Sequence, residues 1–157
     1  MIKSGIGYDV HALAKGEELI IGGVKINSPW GSIGHSDGDV LLHAIVDALL
    51  GAAKLGDIGM HFTSSDERWK GKESIYFLEH VALLLREKGF EIDYIDSTVI
   101  LEEPKLADEI PKMVHKVSYT LEIDEAAVSI KATTTDKMGF IGRGEGVGAM
   151  AIATISK

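Results

Sequence analysis

The chain has 157 residues, 45% of them hydrophobic, enough for one domain with a substantial core over residues 1–157. A formal net charge of −8 argues against a nucleic-acid partner, which calls for a basic face, but is compatible with a phosphorylated metabolite whose charge metal ions neutralise locally. The absence of cysteine excludes disulfides, thiol chemistry and Cys-based structural zinc, and no apolar run approaches the roughly 20 residues that span a bilayer.

Residues Met1–Gly5 carry no long apolar run, so no secretory signal is expected and the chain reads as soluble and cytoplasmic. Strands are predicted over Ile2–Asp9 and Glu18–Ile26, where alternating and β-branched residues are bounded by turn formers. A helix rich in Leu, Ala and Val runs from about Asp39 to about Lys54, with Asp37 or Ser36 available as its cap. Gly56-Asp57-Ile58-Gly59 then reads as a helix-ending turn. A second helix fits Lys72–Lys88: Ile75, Leu78, Ala82 and Leu85 form one apolar stripe, and Gly89 stops it. A strand over Ile92–Leu101 leads through the turn Glu102–Leu106 into a third helix, from Leu106 to about Leu121, whose first turn tolerates Pro111. Strands over Ala127–Thr133 and Val147–Ser156 complete the chain. Mixed elements of this kind form a layered α/β or α+β arrangement, and we take the α+β form: a small mixed β-sheet with helices packed on one face. In the last strand Val147, Ala149, Ala151, Ala153 and Ile155 share one face, with Met150 and Ile152 on the other. A strand apolar on both faces needs cover on both, which points to an oligomer.

Three histidines and an aspartate stand out chemically. Asp9-Val10-His11 on an extended segment points Asp9 and His11 to one face, since strand side chains alternate. His43 lies within the first predicted helix, and His35 just before it. Three N/O ligands from two elements are what a catalytic zinc site uses when it keeps its fourth position open. Asp39 and Asp47, four residues on either side of His43, are the expected acceptors for its second ring N–H. Taken alone, this spacing fits coincidence as well as a site, and His61, His80 and His115 read as ordinary core or surface residues. In Lys131–Phe140, Thr133, Thr134 and Thr135 end a strand and precede Asp136. They offer donors to phosphate and an oxygen ligand to Mg²⁺, although an ordinary Thr-rich strand end looks the same. Gly142-Arg143-Gly144-Glu145-Gly146 lacks the lysine and following helix of a P-loop, and Gly5-Ile6-Gly7 is no dinucleotide fingerprint.

The ordered set closely resembles the 2-C-methyl-D-erythritol 2,4-cyclodiphosphate synthase family of the non-mevalonate isoprenoid pathway. It comprises Asp9-x-His11, His35-Ser36-Asp37-Gly38-Asp39 with His43, Gly56-Asp57-Ile58-Gly59, Pro104-Lys105-Leu106, Lys131-Ala132-Thr133-Thr134-Thr135, and Gly139-Phe140 with Gly142–Gly146. The resemblance runs from about Ile6 to the C-terminus. Two departures matter: Asp136 stands where the family usually has Glu, and His61-Phe62-Thr63-Ser64-Ser65-Asp66 lacks the Pro and first Asp of the family's Phe-Pro-Asp-x-Asp.

The resemblance implies a lyase-type intramolecular phosphoryl transfer. The 2-phosphate of 4-diphosphocytidyl-2-C-methyl-D-erythritol 2-phosphate attacks the β-phosphorus, closing the cyclic diphosphate and expelling CMP. It implies Zn²⁺ on Asp9, His11 and His43, Mg²⁺ or Mn²⁺ on Asp136 with the substrate diphosphate, and His35 and Thr134 as transition-state stabilisers. It assigns Ser36, Asp57 and Gly59 to holding the methylerythritol unit, and Ile58, Phe62, Ser65 and Asp66 to substrate binding. The segment from Leu101 through Pro104, Lys105 and Leu106 to Ala107, together with Thr133 and Thr135, forms the cytidine and diphosphate pocket of a neighbouring subunit. It further implies a homotrimer with its sheets facing the centre and sites at the subunit interfaces. Tyr8, Gly139, Phe140 and Arg143 would line a central cavity able to hold an isoprenoid diphosphate, although Arg143 reads equally as a trimer-packing residue. The rival readings are a metal-dependent phosphohydrolase and a non-catalytic module that binds metal or an isoprenoid diphosphate.

Overall fold

The computed structural model describes residues 1–157. Its first strand, β1 (Ile2–Lys15), pairs antiparallel along nearly its whole length with the last, β7 (Gly146–Ser156). β7 pairs on its other side with β5 (Glu91–Ile100), and β6 (Val128–Thr133) joins β5 in parallel. With the short β4 (Trp30–Ser32) on the far side of β1, the sheet order is β4-β1-β7-β5-β6. The expected α+β class with a mixed sheet is what the chain adopts.

Two strand readings are corrected. β1 does not end at Asp9 but continues to Lys15, because Val10, His11 and Ala12 stay paired with β7 and Leu13, Ala14 and Lys15 find partners in β4, long-range pairings invisible to local pattern. The stretch read as one strand over Glu18–Ile26 is a hairpin of β2 (Leu19–Ile21) and β3 (Val24–Ile26) in a sheet of its own. Gly22 and Gly23 turn the chain between them, both at positive φ (63° and 74°), where glycine carries no Cβ penalty.

The three long helices are α1 (Val40–Ala53), α3 (Ser74–Glu87) and α4 (Ile110–Leu121), with two single-turn helices, α2 (Ile58–His61) and α5 (Gly139–Gly142). α4 starts later than Leu106 because residues 106–109 form a turn, with Glu109 and Ile110 both donating to the Leu106 carbonyl. Pro111 thereby falls in the first helical turn, where its missing N–H costs nothing. α1 is capped by Asp39 rather than by Asp37 or Ser36, its carboxylate accepting the Leu42 N–H at 3.0 Å. The same fully buried carboxylate accepts Gly22 N–H (2.9 Å) and Gly23 N–H (2.7 Å), tying the β2–β3 turn to the helix start. Burial pushes Asp39 up to about 6, against the pull of these three donors.

α1 packs directly on β1 and β7, α4 packs on β6, and α3 meets both helices. Val147, Ala149, Ala151, Ala153 and Ile155 are buried beneath the helices, as the alternation of β7 requires. On the opposite face Ile6, Tyr8, Met150 and Ile152 remain 65%, 59%, 45% and 49% exposed, a contiguous apolar patch across paired strands. No helix is long and apolar enough to cross a membrane.

Candidate metal centre and substrate cleft

Gly5 and Gly7 set the distance between α1 and the sheet. A Cβ on Gly7 would stand 1.8 Å from the Ala44 carbonyl oxygen, and one on Gly5 2.2 Å from that of Ala48. The helix backbone therefore rests on the strand backbone, and His43, one residue before Ala44, arrives over the odd-numbered face of β1 that carries Asp9 and His11. Asp9 Oδ2 lies 2.8 Å from His11 Nε2 and 3.1 Å from His43 Nδ1, and the two ring nitrogens are 3.2 Å apart. Ligands about 2.0–2.1 Å from a tetrahedral zinc lie about 3.3 Å from one another, so this triangle has the size of three zinc ligands. The three half-buried side chains form a group able to hold a metal ion.

The environment prepares these atoms as ligands. Burial alone would raise Asp9, but the adjoining His11 and His43 imidazoles outweigh it and hold the carboxyl down at about 2, so it presents an anion. His11 is raised above 6.5 chiefly by its bond to Asp9, which outweighs burial; the Ile33 carbonyl adds to it. His11 Nδ1 lies 3.0 Å from that carbonyl, which can only accept, so Nδ1 carries a proton and Nε2 is the nitrogen that faces Asp9 and the centre.

The expected supports of His43 are corrected. Asp39 is committed to the helix cap and the β2–β3 turn, and Asp47 accepts the Ile58 N–H at 2.7 Å. Neither reaches the imidazole; both lie on α1 faces turned to other backbone. His43 Nε2 instead meets Ser74 Oγ at 2.8 Å and Ser36 Oγ at 3.2 Å. Ser74, the first residue of α3, belongs to no motif in the sequence, and only the docking of α3 against α1 reveals it.

A cleft of about 580 Å³ opens beside the centre, lined by His11, His35, Ser36, His43, Ile58, Gly59 and Phe62 among others. The structure thus brings His35, Ser36, Ile58, Gly59 and Phe62 to the metal group. Asp57 caps α2 through the Met60 N–H (3.0 Å), Ser65 donates to Thr63, and Asp66 pairs with Arg68 at 2.8 Å. These three are not among the lining residues, whereas Thr63, Ser64, Trp69, Lys70 and Phe77 are. Trp69 meets Phe62 edge-on at 4.8 Å and Phe62 stacks on Phe77 at 4.5 Å, an aromatic wall the sequence pattern did not disclose. Of the remaining histidines, His61 bonds the Leu55 carbonyl and His115 pairs with Glu125; His80 packs edge-on against Trp69, away from the metal group.

A second, smaller pocket of about 160 Å³ is lined by Leu101, Pro104, Lys105, Leu106, Ala107, Ala132, Thr133 and Thr134. In the sheet, Thr133 pairs with Ile100, Ile100 with Gly148 and Gly148 with Val10. The pocket therefore sits three strand spacings, roughly 14 Å, from the metal-bearing strand at the same end of the sheet. Glu102 braces the loop beyond it, accepting the N–H groups of Thr135 (3.2 Å) and Lys137 (3.0 Å). Between them Asp136 is exposed at φ 52°, in the left-handed region that aspartate tolerates better than most side chains. Phe140 and Arg143 lie on and just after α5, both exposed, with Arg143 paired to Glu145 at 3.0 Å.

Comparison with known proteins agrees with this geometry. The YgbB family model matches residues 2–156. The chain is 51% identical over 156 residues to the 2-C-methyl-D-erythritol 2,4-cyclodiphosphate synthase of Alkaliphilus metalliredigens, covering 99% of this chain and 98% of that one. It is 52% identical over 157 residues to that of Methylobacillus flagellatus, covering 100% and 98%. Among solved structures, a 2C-methyl-D-erythritol-2,4-cyclodiphosphate synthase superposes with a TM-score of 0.92 at 34% identity, covering 98% of this chain and all of that one. The bifunctional IspDF of Campylobacter jejuni superposes with a TM-score of 0.94 at 41% identity; 99% of this chain matches 42% of that longer chain. Sequence, fold and the clustered Asp9, His11 and His43 converge on one assignment: the chain belongs to the YgbB family, the family of the 2-C-methyl-D-erythritol 2,4-cyclodiphosphate synthases.

Proposed function

We propose that the protein converts 4-diphosphocytidyl-2-C-methyl-D-erythritol 2-phosphate to 2-C-methyl-D-erythritol 2,4-cyclodiphosphate and CMP. The observation that carries this reading is the triangle of Asp9, His11 and His43 opening onto the cleft of His35, Ser36 and Gly59. A 2-phosphate oxygen forms the new bond to the β-phosphorus. The bond from that phosphorus to the bridging oxygen breaks, and CMP leaves with the oxygen. The substrate supplies its own nucleophile, so the protein has to position the two phosphates and offset their repulsion. Zinc on Asp9, His11 and His43, and Mg²⁺ or Mn²⁺ on Asp136, would supply charge neutralisation at the reacting diphosphate. His35, which lines the cleft, and Thr134, which lines the second pocket, would donate to phosphate oxygens, and Ser36 and Gly59 would orient the methylerythritol unit. The pocket lined by Leu101, Pro104, Lys105, Leu106, Ala107 and Thr133, with Thr135 at the same strand end but outside the lining, would take the cytidine, in keeping with a related structure described as a CDP-bound form.

The same reading makes the protein a homotrimer, the metal centre of one copy facing the nucleoside pocket of the next. The exposed patch of Ile6, Tyr8, Met150 and Ile152 supports this, as does the separation of the two half-sites within one chain. A central cavity lined by Tyr8, Gly139, Phe140 and Arg143 would take an isoprenoid diphosphate, and a cysteine-free chain suits a cytoplasmic setting. Incubating the purified protein with the cytidylated substrate should yield CMP and the cyclic product in equal amounts. Inorganic phosphate or open-chain products would instead mark a phosphohydrolase, and no turnover a binding module. Light scattering should give a mass near three times 16.9 kDa; an active monomer would defeat the interface-built site.

Asp136 carries its own expectation. Its carboxylate ends about 1.5 Å short of a glutamate's on the same backbone, about one C–C bond. Mg²⁺ retains several waters and needs only one or two carboxylates, so a bridging water closes the gap. Asp136→Ala should lower CMP release about 100-fold with zinc content unchanged, and Asp136→Glu should remain active. Equal rates and Mg²⁺ dependence in Asp136→Ala and the parent would reduce the position to a turn.

A further inference from the structure

The buried contact behind His43 has a direction that hydrogen-bond chemistry fixes. Ser74 is fully buried at the start of α3, and its hydroxyl has three polar neighbours: Asp37 Oδ1, His43 Nε2 at 2.8 Å and, more distant, Ser36 Oγ at 3.4 Å. The other oxygen of Asp37 accepts the Ser74 backbone N–H at 3.0 Å, so the carboxylate grips both donors of this one residue. A hydroxyl has one proton, and a carboxylate can only accept; the Ser74 proton therefore goes to Asp37. Toward His43 the hydroxyl then offers only lone pairs. The ring must answer with an N–H at Nε2, which leaves Nδ1 bare, facing Asp9 Oδ2 and His11 Nε2 at 3.1 and 3.2 Å. Ser36 Oγ, the only other polar partner of Nε2, lies farther away at 3.2 Å and is half-buried at the cleft.

We propose that Ser74, oriented by Asp37, is a positioning residue that fixes the tautomer and plane of His43 and thereby sets the zinc affinity of the centre. The inference rests on the zinc reading above. It assigns to Ser74 the support that an acidic neighbour on the ligand's own helix would otherwise give, delivered from a different helix. Docking of α3 is thereby linked to ligand geometry, and the loop bearing His35 and Ser36 is joined to both through Asp37. Outer partners of metal-bound imidazoles are worth about 10–100-fold in metal affinity.

Ser74→Ala separates this role from simple anchoring, because alanine keeps the backbone N–H that Asp37 also holds. Zinc dissociation constants measured by competition with a chromophoric chelator should rise about 10–100-fold in Ser74→Ala. The thermal midpoint of the metal-free protein should shift little, since the N–H anchor survives. In the zinc-saturated parent, the nitrogen resonances of His43 should report a protonated Nε2 and a metal-bound Nδ1. The Nε2 proton, protected from solvent in the parent, should exchange faster in Ser74→Ala. Unchanged zinc affinity in Ser74→Ala overturns the proposal, and so does a parent spectrum with the proton on Nδ1. The spectrum of the parent decides the tautomer even if the variant fails to fold. A parent that binds no zinc at all would overturn the zinc reading itself, a result distinct from either of these.

Discussion

His43→Ala should strip zinc from the protein and lower CMP release about 1,000-fold or more, while the fold persists. The loss is large because the substitution removes one of three ligands: Asp9 and His11 alone leave a two-coordinate site that releases its metal. The charge neutralisation that zinc offers to the diphosphate disappears with it, a contribution of several kcal/mol. The fold survives because α1 is held by Leu41, Leu42, Ile45, Leu49 and Leu50, all fully buried, whereas His43 is half-buried at the cleft wall. Truncating it should cost about 1–2 kcal/mol of stability. Metal analysis beside circular dichroism checks the result. Full zinc content in a folded variant would remove His43 from the ligand set.

Gly7→Ala should be the most damaging single-methyl change in the molecule. The added Cβ would lie 1.8 Å from the Ala44 carbonyl oxygen and 2.9 Å from the Ala48 amide nitrogen. Both are helix backbone atoms, so no side-chain rotation relieves the contact. α1 must move away by more than 1 Å to reach an ordinary separation. That opens the interface with β1 and β7, at a cost of about 3 kcal/mol or more. The displacement also carries His43 away from Asp9 and His11, so zinc affinity should fall along with stability. Gly51→Ala is the matched control. It lies in the last turn of the same helix, its added Cβ would meet nothing nearer than 4.0 Å, and alanine there should stabilise by about 0.4–1 kcal/mol. Chemical denaturation of the two variants, with zinc content measured in parallel, tests the pair. A Gly7→Ala protein as stable and as zinc-rich as the parent would show that the helix–strand approach is not what assembles the centre.

Much of the site was legible before folding because its signals are local or periodic. Asp9 and His11 share a face because a strand alternates, and His43 is committed to a helix by the apolar run around it. Of the stripe Ile75, Leu78, Ala82 and Leu85, the last three are buried as its spacing requires and Ile75 is half-buried. The family motifs placed the Thr133–Thr135 strand end and the Pro104–Leu106 turn in one chain, and the structure sets Pro104, Leu106 and Thr133 around one pocket. Element ends were less legible. The extension of β1 to Lys15 depends on β4, and the break at Gly22–Gly23 depends on a turn that Asp39 holds from another element.

The order of residues along the chain thus determined which side chains can act as ligands, which faces of β1 and α1 are apolar, and what chemistry the motif set belongs to. The first two follow from residue type and from the 2.0 and 3.6 periodicities of strand and helix, the third from the resemblance of the motif set to a known family. Only the tertiary structure decided who partners whom: that Asp39 and Asp47 serve backbone amides while Ser74 serves His43, and that Trp69 and Phe77 join Phe62 along the cleft. It also decided that two glycines let α1 settle onto the sheet. The physical reason is that a buried polar atom must find a partner within about 3 Å, and across packed elements that partner is chosen by docking geometry, which no local spacing encodes.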